Sequence, residues 1–466
     1  MTSDSFRLPE RSIVSRLALE VAEAGGRLLI VGGWVRDELA GASSKDFDLE
    51  VFGLSRERVS ELVEPFGFSG PVGRHFPVWR LTREGVDVAY PRAGADCDLV
   101  GSTSALEPAF REASRHRDLT INAIGWDPIA RELIDPWNGR TDLEAGLLRA
   151  VSEETFAADP LRVLRVARLL SRFDVRADPS LEQLCRRLDL GELASERIAR
   201  ELRRILCESR RPSLAFEFLA RVEQIQVFEP LAALSGVVQD PRWHPEGDVY
   251  THTCMVIDRA ARIADDERLN DLDREILLFA ALCHDLGKPE TTTIEPGGRI
   301  RSHGHEAASA LRARAWLENL GLGESRVRAI EALVANHLAP AQFVDQGAGA
   351  RAYRRLARKL ASGGVTVVEL ERVARADHLG RSTDDAIAGR FDAGIAFLQA
   401  ATDAEIRAGV RADVVSAASL MERGITPGPE LGRLLARCRE VQDETGSRNA
   451  AAILDRVMRL PSPDGS

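Results

Sequence analysis

Residues 28 to 52 read LLIVGGWVRDELAGASSKDFDLEVF. An apolar run enters two glycines, Gly32 and Gly33, and an Arg-Asp pair, and a second apolar stretch carries Asp46 and Asp48 one residue apart. The pattern predicts strand, tight turn, short helix and second strand. Strand side chains alternate faces, so Asp46, Asp48 and Glu50 fall on one side of KDFDLEVF while Phe47, Leu49 and Val51 pack behind. Grouped carboxylates suit Mg²⁺, which binds through a few of them plus substrate phosphates, and two such ions roughly 3.5 to 4 Å apart clamp phosphoryl transfer. A third carboxylate is expected, and Asp87 in VDVAYPR is the candidate. Gly32 and Gly33 let backbone N–H groups approach a triphosphate, and Arg36 adds a bidentate phosphate donor. Taken alone, the same residues also describe a surface acidic strand beside a tight turn.

The chain around this stretch has 466 residues, 44% hydrophobic and 29% charged, which is globular in composition and too long for one core. No apolar run approaches the ~18 to 20 residues of a membrane span, and the opening MTSDSFRLPERS is polar, so the expectation is a cytoplasmic protein with no membrane partner. The cysteines Cys97, Cys185, Cys207, Cys254, Cys283 and Cys438 are scattered, against both a disulfide framework and a zinc ribbon. A net charge of -10 argues against a surface uniformly coated in nucleic acid, although basic residues cluster locally. One cluster, SERIARELRRILCESRRP, holds Arg197, Arg200, Arg203, Arg204, Arg210 and Arg211, and RAYRRLARK near residue 355 is another; solvated helix faces are the plain reading of both.

Alternation in VWRLTREGVDVAY predicts further strands to about residue 90, so the front is α/β. From DPLRVLRVARLLSRF onward the spacing is helical, and LSGVVQDPRWHPEGD marks a boundary near residue 240.

The order GGWVRD, KDFDLEVF, RHRDLTINAIGWDP, LIDPWNGRTDLEAGLLRAV and ADPLRVLRVARLLSRF resembles the class II transfer-RNA nucleotidyltransferase and bacterial poly(A) polymerase family over roughly residues 25 to 230. The resemblance implies a polymerase-β-like mixed-sheet α/β head followed by an all-α neck. It implies that Asp46 and Asp48 hold the catalytic Mg²⁺, that Arg117 and Asp118 contact the ribose, and that Asp159 and Arg162 read the incoming base, with Arg165 and Arg168 on the same nucleotide-binding helix. Two positions depart from the family pattern: His116 stands where an arginine usually precedes Arg117, and Ala158 where glutamate commonly precedes Asp159. Ribose selection and the hand-over between C and A addition are the steps these departures touch.

Base reading by Asp159 and Arg162 has its own chemical logic. Cytosine and adenine each present an exocyclic amine beside a ring-nitrogen acceptor, so one carboxylate and one guanidinium pair with either, while uracil and guanine present the reverse. The other reading is that Asp159 caps a helix with Pro160 at its first position.

Farther on, YTHTCMVIDRAARIADD and LLFAALCHDLGKPETTT, with Asp377 in ARADHLGR, resemble the HD metal-dependent phosphohydrolase superfamily, an all-α fold. That resemblance implies a site of His252, His284, Asp285, His305, His337 and Asp377, with Lys288 toward phosphate and His303 as an alternative ligand. Such a donor set suits Mn²⁺, Ni²⁺, Co²⁺ or Fe more than Mg²⁺. The combination is closest to bacterial nucleotidyltransferases that carry an HD domain. Four parts are expected: a catalytic head at 1–145, a base-selecting and tRNA-binding neck at 146–238, an HD domain at 239–400 and a helical segment at 401–466.

The expected activity is completion of the tRNA 3′-CCA end from CTP and ATP, with possible phosphohydrolase activity at the HD site toward 2′,3′-cyclic or 2′-phosphates. CC-only addition, A-only addition or poly(A) synthesis on the same head are the near alternatives. An HD phosphohydrolase with a regulatory nucleotide-binding head is the distant one.

Overall fold

The computed structural model describes residues 6, 8–9, 12–42, 46–72, 77–91 and 105–459, which form two compact units. The first comprises Met1–Leu193 with Glu217–Gln224, and the second Ala194–Phe216 with Ile225–Ser466. Among the described residues no helix is long and apolar enough to cross a membrane, and the described cysteines are free thiols; Cys97 lies outside them.

The first unit is built on a mixed sheet of β1 (Arg27–Val31), β2 (Phe47–Phe52), β3 (Ser69–Val72), β4 (Val78–Leu81), β5 (Val86–Ala89), β6 (Gly125–Asp127) and β7 (Glu132–Ile134), in the order β3-β4-β5-β2-β1-β6-β7. The β2–β5 pair is parallel and the other pairs are antiparallel. Alternation in β1 sends Leu28 and Ile30 to one face and Leu29 and Val31 to the other, and all four are buried. Leu28 and Ile30 join Leu17, Val21, Val35 and Leu62 from the helices Ile13–Glu23, Gly33–Leu39 and Arg56–Val63. Leu29 and Val31 pack with Phe52 against Ala109 and Phe110 of the helix Leu106–Ser114. The sheet is therefore covered on both sides, and only the ends of its strands are available for chemistry.

After the sheet the first unit turns helical. The helix Arg162–Phe173 buries Val163, Leu164, Val166, Ala167, Leu169 and Leu170 in a run typical of a helix enclosed on most sides.

The second unit is a helical assembly whose centre is formed by Val249–Asp266, Asp271–Cys283, His305–Asn319, Glu324–Val334 and Val367–Leu379. Asp248 caps the first of these by accepting from the Thr251 N–H, and Thr366 with Glu369 forms a capping box on the last. The helical expectation needs two amendments, since Arg176–Ala177 pairs in parallel with Leu147–Leu148 in the first unit and Thr292–Ile294 and Ile300–Ser302 pair as a short antiparallel hairpin in the second. A Pro-Gly-Gly turn between Glu295 and Arg299, with Gly297 and Gly298 both at positive φ, closes the hairpin.

Candidate functional site

In the first unit the acidic edge forms at the N-terminal end of β2. Asp46 immediately precedes the strand, Asp48 is exposed within it, and Leu49 and Val51 are buried on the opposite face. The parallel register sets Asp48 opposite Asp87 of β5, so two strands contribute adjacent carboxylates. Loss of solvent raises the Asp48 carboxyl above its ordinary value; Asp87, Glu50 and Asp46 push the same way and Arg117 opposes them. A cluster whose own negative charges hold a proton on is chemically fitted to a divalent cation.

The glycine turn meets this edge. Gly32 has φ +74°, and a Cβ there would lie 2.8 Å from Arg117 Nη1 and 3.6 Å from Asp48 Oδ2. Only glycine satisfies both the left-handed backbone and that close approach. Arg117 also donates to Glu50 at 2.6 Å, which holds its guanidinium beside the carboxylates.

Behind the turn runs an alternating chain of charged and amide groups. Arg36, buried, donates to Asp37 at 2.8 and 2.5 Å and to Asn122 Oδ1 at 2.6 Å. Asp37 also accepts from Arg172 at 2.8 Å, Asn122 donates to Asp118 at 2.9 Å, and Asp118 accepts from Arg165 at 2.7 Å. Although burial favours its neutral form, Arg165 and Asn122 drive the Asp118 carboxyl well below the usual range. The helix Arg162–Phe173 is thus tied at Arg165 and Arg172 to the segments that carry the glycine turn.

On that helix Arg162 donates to the main-chain carbonyls of Thr155 and His116, each at 2.6 Å, and Arg168 is buried. Asp159 Oδ1 accepts from the Leu161 N–H at 3.2 Å, a cap-like contact that occupies one carboxylate oxygen. Asp159 and Arg162 are one turn apart, with the Arg162 N–H on the Asp159 carbonyl at 3.0 Å.

The second unit brings His252, His284, Asp285, His305, His337 and Asp377 together in its interior. Each ring uses Nδ1 to face a fixed acceptor: Glu246 for His252 at 2.8 Å, Ala281 O for His284 at 2.8 Å, Ser302 O for His305 at 2.8 Å and Val334 O for His337 at 2.7 Å. Every Nε2 is consequently turned inward, toward the other imidazoles and the carboxylates. His252 Nε2 lies 3.1 Å from Asp377, His305 Nε2 lies 3.3 Å from His337 Nε2, and the buried His284 Nε2 lies 3.1 Å from Asp285. Four converging imidazole nitrogens and two carboxylates fit divalent metal. Burial, with His284 and His305 nearby, lowers His337 to about 3, so this ring is a neutral donor at physiological pH. Burial also opposes charge on His284, yet Asp285 beside it holds its pKa above the ordinary value.

Lys288 donates to Gln239 at 2.7 Å and pairs with Asp285 at 2.7 Å, so its ammonium sits against the cluster. His303 is exposed beside Arg301 and stands outside the cluster, and His378 stacks on Phe391. Sequence reasoning missed Glu246 and His244. Glu246 accepts from both His252 and His244 through Oε1, while Oε2 accepts from the Ser382 N–H and hydroxyl. The signal available was HPEGD, whose acidic residue lies six positions before His252 in a segment read as a domain boundary.

A nucleotidyltransferase head and an HD metal module are the classes that these two sites define. Residues 28–149 match the model of the poly A polymerase head domain, and residues 249–380 match the HD domain. A multifunctional CCA protein of Thioalkalivibrio sulfidiphilus is 39% identical over 293 residues, covering 60% of this chain and 67% of that protein. One from Halorhodospira halophila is 35% identical over 437 residues, covering 88% and 95%. A Thermotoga maritima CCA-adding enzyme complexed with tRNA has the same fold, with a TM-score of 0.59, 18% identity and coverage of 98% and 97%. The chain belongs to the multifunctional CCA protein family, the HD-bearing bacterial branch of the class II tRNA nucleotidyltransferases.

Proposed function

We propose that the first unit adds the 3′-terminal CCA of tRNA from CTP and ATP without a nucleic-acid template. The observation that carries this reading is the juxtaposition of Asp48 with Asp87 across β2 and β5, beside the Gly32 turn and Arg117. In the reaction the primer 3′-hydroxyl oxygen bonds to the α-phosphorus, the bond from that phosphorus to the bridging oxygen breaks, and pyrophosphate leaves. Asp46 and Asp48 are assigned to hold Mg²⁺, which when bound supplies charge neutralisation at the triphosphate and the attacking oxygen. Asp87 is assigned to the hydroxyl proton, the Gly32–Gly33 backbone to phosphate and Arg117 to ribose; Arg36, expected from sequence to be a phosphate donor, is buried with its nitrogens on Asp37 and Asn122 and is assigned instead to holding the glycine turn. Asp118, expected to contact the ribose, and Arg165 and Arg168, expected to bind nucleotide, are assigned instead to hold the nucleotide-facing helix, since Asp118 is buried against Arg165 at 2.7 Å and Arg168 is buried; Asp159 with Arg162 is assigned to the base edge. Catalysis is then chiefly positioning and fixed electrostatics.

The neck at 146–238 and the basic residues after 196 are assigned to the acceptor stem, by phosphate contact and shape. Arg203 is partly committed, since it pairs with Glu275 at 3.0 Å, whereas Arg200 and Arg210 are exposed. The four-part division at 145, 238 and 400 is retained as the functional one, in a cytoplasmic enzyme.

The test is extension of three tRNA primers, ending before CCA, after C and after CC, with labelled CTP, ATP, UTP and GTP offered singly and together. Addition of CCA by CTP and ATP alone supports the reading. Addition of only CC or only A narrows it, and no extension overturns it.

The inward-facing imidazoles of the second unit favour a second activity, phosphohydrolysis with Mn²⁺, Ni²⁺, Co²⁺ or Fe at the HD cluster. Metal-loaded protein that leaves 2′,3′-cyclic AMP and bis-p-nitrophenyl phosphate intact would count against it.

A further inference from the structure

Of the carboxylates that alternation puts on the metal-facing side of KDFDLEVF, Glu50 is the one that nucleotide addition leaves unused. It holds Arg117 instead. Arg117 Nη2 donates to Glu50 Oε1 at 2.6 Å and Nη1 donates to the Asn122 carbonyl at 3.2 Å, and both side chains of the ion pair are largely enclosed. The contact is single. Glu50 Oε2 and Arg117 Nε are buried with no hydrogen-bond partner among the described residues, so the pair lacks the two-pronged geometry that makes arginine–carboxylate pairs strong. Such a pair is poorly built for stability, and what it controls is where the guanidinium stands.

That position bears on Asp48. The point a Gly32 Cβ would occupy is 2.8 Å from Arg117 Nη1 and 3.6 Å from Asp48 Oδ2, so guanidinium and carboxylate are near neighbours. Arg117 nevertheless pairs with Glu50 and makes no ion pair with Asp48 among the described residues. Arg117 is also the group that pulls the Asp48 carboxyl down against the effect of burial. Arg80, a second arginine at this edge, meets Asp87 at 3.4 Å with both side chains exposed, where solvent screens the pair. Arg117 is thus the cation best placed to stand in for a metal at Asp48.

We infer that Glu50 is a positioning residue that draws Arg117 away from Asp48 and so keeps the Asp48 carboxylate open to Mg²⁺. The inference rests on the assignment of Asp48 to the metal. A guanidinium and a divalent cation compete for the same carboxylate oxygens, and at an enclosed edge that competition is weakly screened. With Glu50 removed, Arg117 keeps only its tie to the neutral Asn122 carbonyl, and its uncompensated charge turns to the neighbouring Asp48. Glu50 therefore acts on the metal through Arg117 and touches neither metal nor substrate.

The test is Mn²⁺ binding to full-length, nucleotide-free protein by electron paramagnetic resonance, with the head site defined as the ions that Asp48→Asn loses. Ions at the HD cluster are common to both proteins and drop out of the difference. Glu50→Ala should weaken the head site about tenfold and raise the Mg²⁺ needed for half-maximal nucleotide addition by a similar factor. Glu50→Gln, which keeps the shape and an acceptor for Arg117, should fall between, and it carries the test if the alanine variant does not fold. The deciding protein is Glu50→Ala/Arg117→Ala, with Glu50→Gln/Arg117→Ala as its counterpart. Its Mn²⁺ affinity should return at least to the wild-type value, because no guanidinium is left to compete. Affinity unchanged in the single variants overturns the inference. Affinity that stays weak in the double variant overturns it too and makes Glu50 a metal ligand. An Asp48→Asn protein that keeps every Mn²⁺ ion overturns the metal assignment, and the inference with it.

Discussion

Glu246 stands 2.8 Å from His252 Nδ1, and the opposite nitrogen of the same ring stands 3.1 Å from Asp377. The carboxylate fixes the tautomer, and so decides which nitrogen faces the metal donors. Glu246→Ala should lower metal affinity about 10- to 100-fold, and Glu246→Gln, which still accepts the Nδ1 proton, should lose less. Titration of Mn²⁺ or Ni²⁺ against a competing chelator measures both. Equal affinity in wild type and Glu246→Ala would show that the ring needs no such support.

The acidic edge of the first unit is arranged against its own stability. Asp48 is held above the usual carboxylate range, so ionising it disfavours the fold. The sign is that this cost is absent below the carboxylate range and accumulates as pH rises through the raised pKa. Asp48→Asn should therefore raise the melting temperature of metal-free protein slightly at pH 8 and leave it unchanged at pH 3. It should also cut nucleotide addition by about a thousandfold or more, while tRNA binding persists. Appreciable addition by this variant would sink the metal assignment.

Asn122 is the neutral link between Arg36 and Asp118, accepting from one and donating to the other. Asn122→Ala leaves a buried guanidinium short of a partner and should cost about 1 to 3 kcal/mol of first-unit stability by denaturant unfolding. Asn122→Asp keeps the acceptor but sets a second carboxylate against Asp118. Its destabilisation should exceed that of the alanine variant at pH 8 and shrink on acidification. A pH-independent loss would mean that the chain of charges is not coupled through this residue.

Arg162 donates to the Thr155 and His116 carbonyls from two separate nitrogens, with the Arg117 carbonyl at 3.5 Å, a fork that a single lysine ammonium does not reproduce. Arg162→Lys and Arg162→Ala should admit UTP or GTP at rates at least about tenfold above wild type, with triphosphate affinity changed less. Base choice that stays intact in both variants would assign Arg162 to helix anchoring alone.

His244, whose ring lies edge-on to that of His252 at 4.6 Å and shares Glu246 with it, tests the pH response of the second unit in metal-free protein. Burial, against the pull of Glu246, lowers its pKa from 6.5 to about 4. The unfolded chain therefore takes up a proton that the fold refuses, and stability falls as pH drops from about 6.5 toward 4. Relative to wild type, His244→Gln of metal-free protein should gain up to about 1.4 kcal/mol per pH unit across that window. A constant difference between the two would place the titration elsewhere.

Much of both sites was legible because the signals are local. Alternation in KDFDLEVF assigns Asp48 and Leu49 to opposite faces, and they are exposed and buried respectively. The histidines and aspartates of the HD cluster were found by their order along the chain, and the fold gathers them. What sequence did not reveal is pairing between distant segments. Periodicity gives no sign that β5 lies parallel to β2, which is what carries Asp87 to Asp48. Asn122 is invisible for a similar reason, since its partners Arg36 and Asp118 meet only after the sheet has formed. Glu246 was hidden by a Pro/Gly context that reads as linker, although its carboxylate is almost fully buried.

The contact from His116 to Arg162 is made by a peptide oxygen, and so is the one from Thr155. An amide carbonyl is common to all twenty residues, so the identity of residue 116 carries no information that Arg162 receives. Drift at this position is silent for the guanidinium as long as the main chain keeps its path. Insertions or deletions between Arg115 and Thr120, rather than substitutions of residue 116, are the changes that would carry this carbonyl away from Arg162.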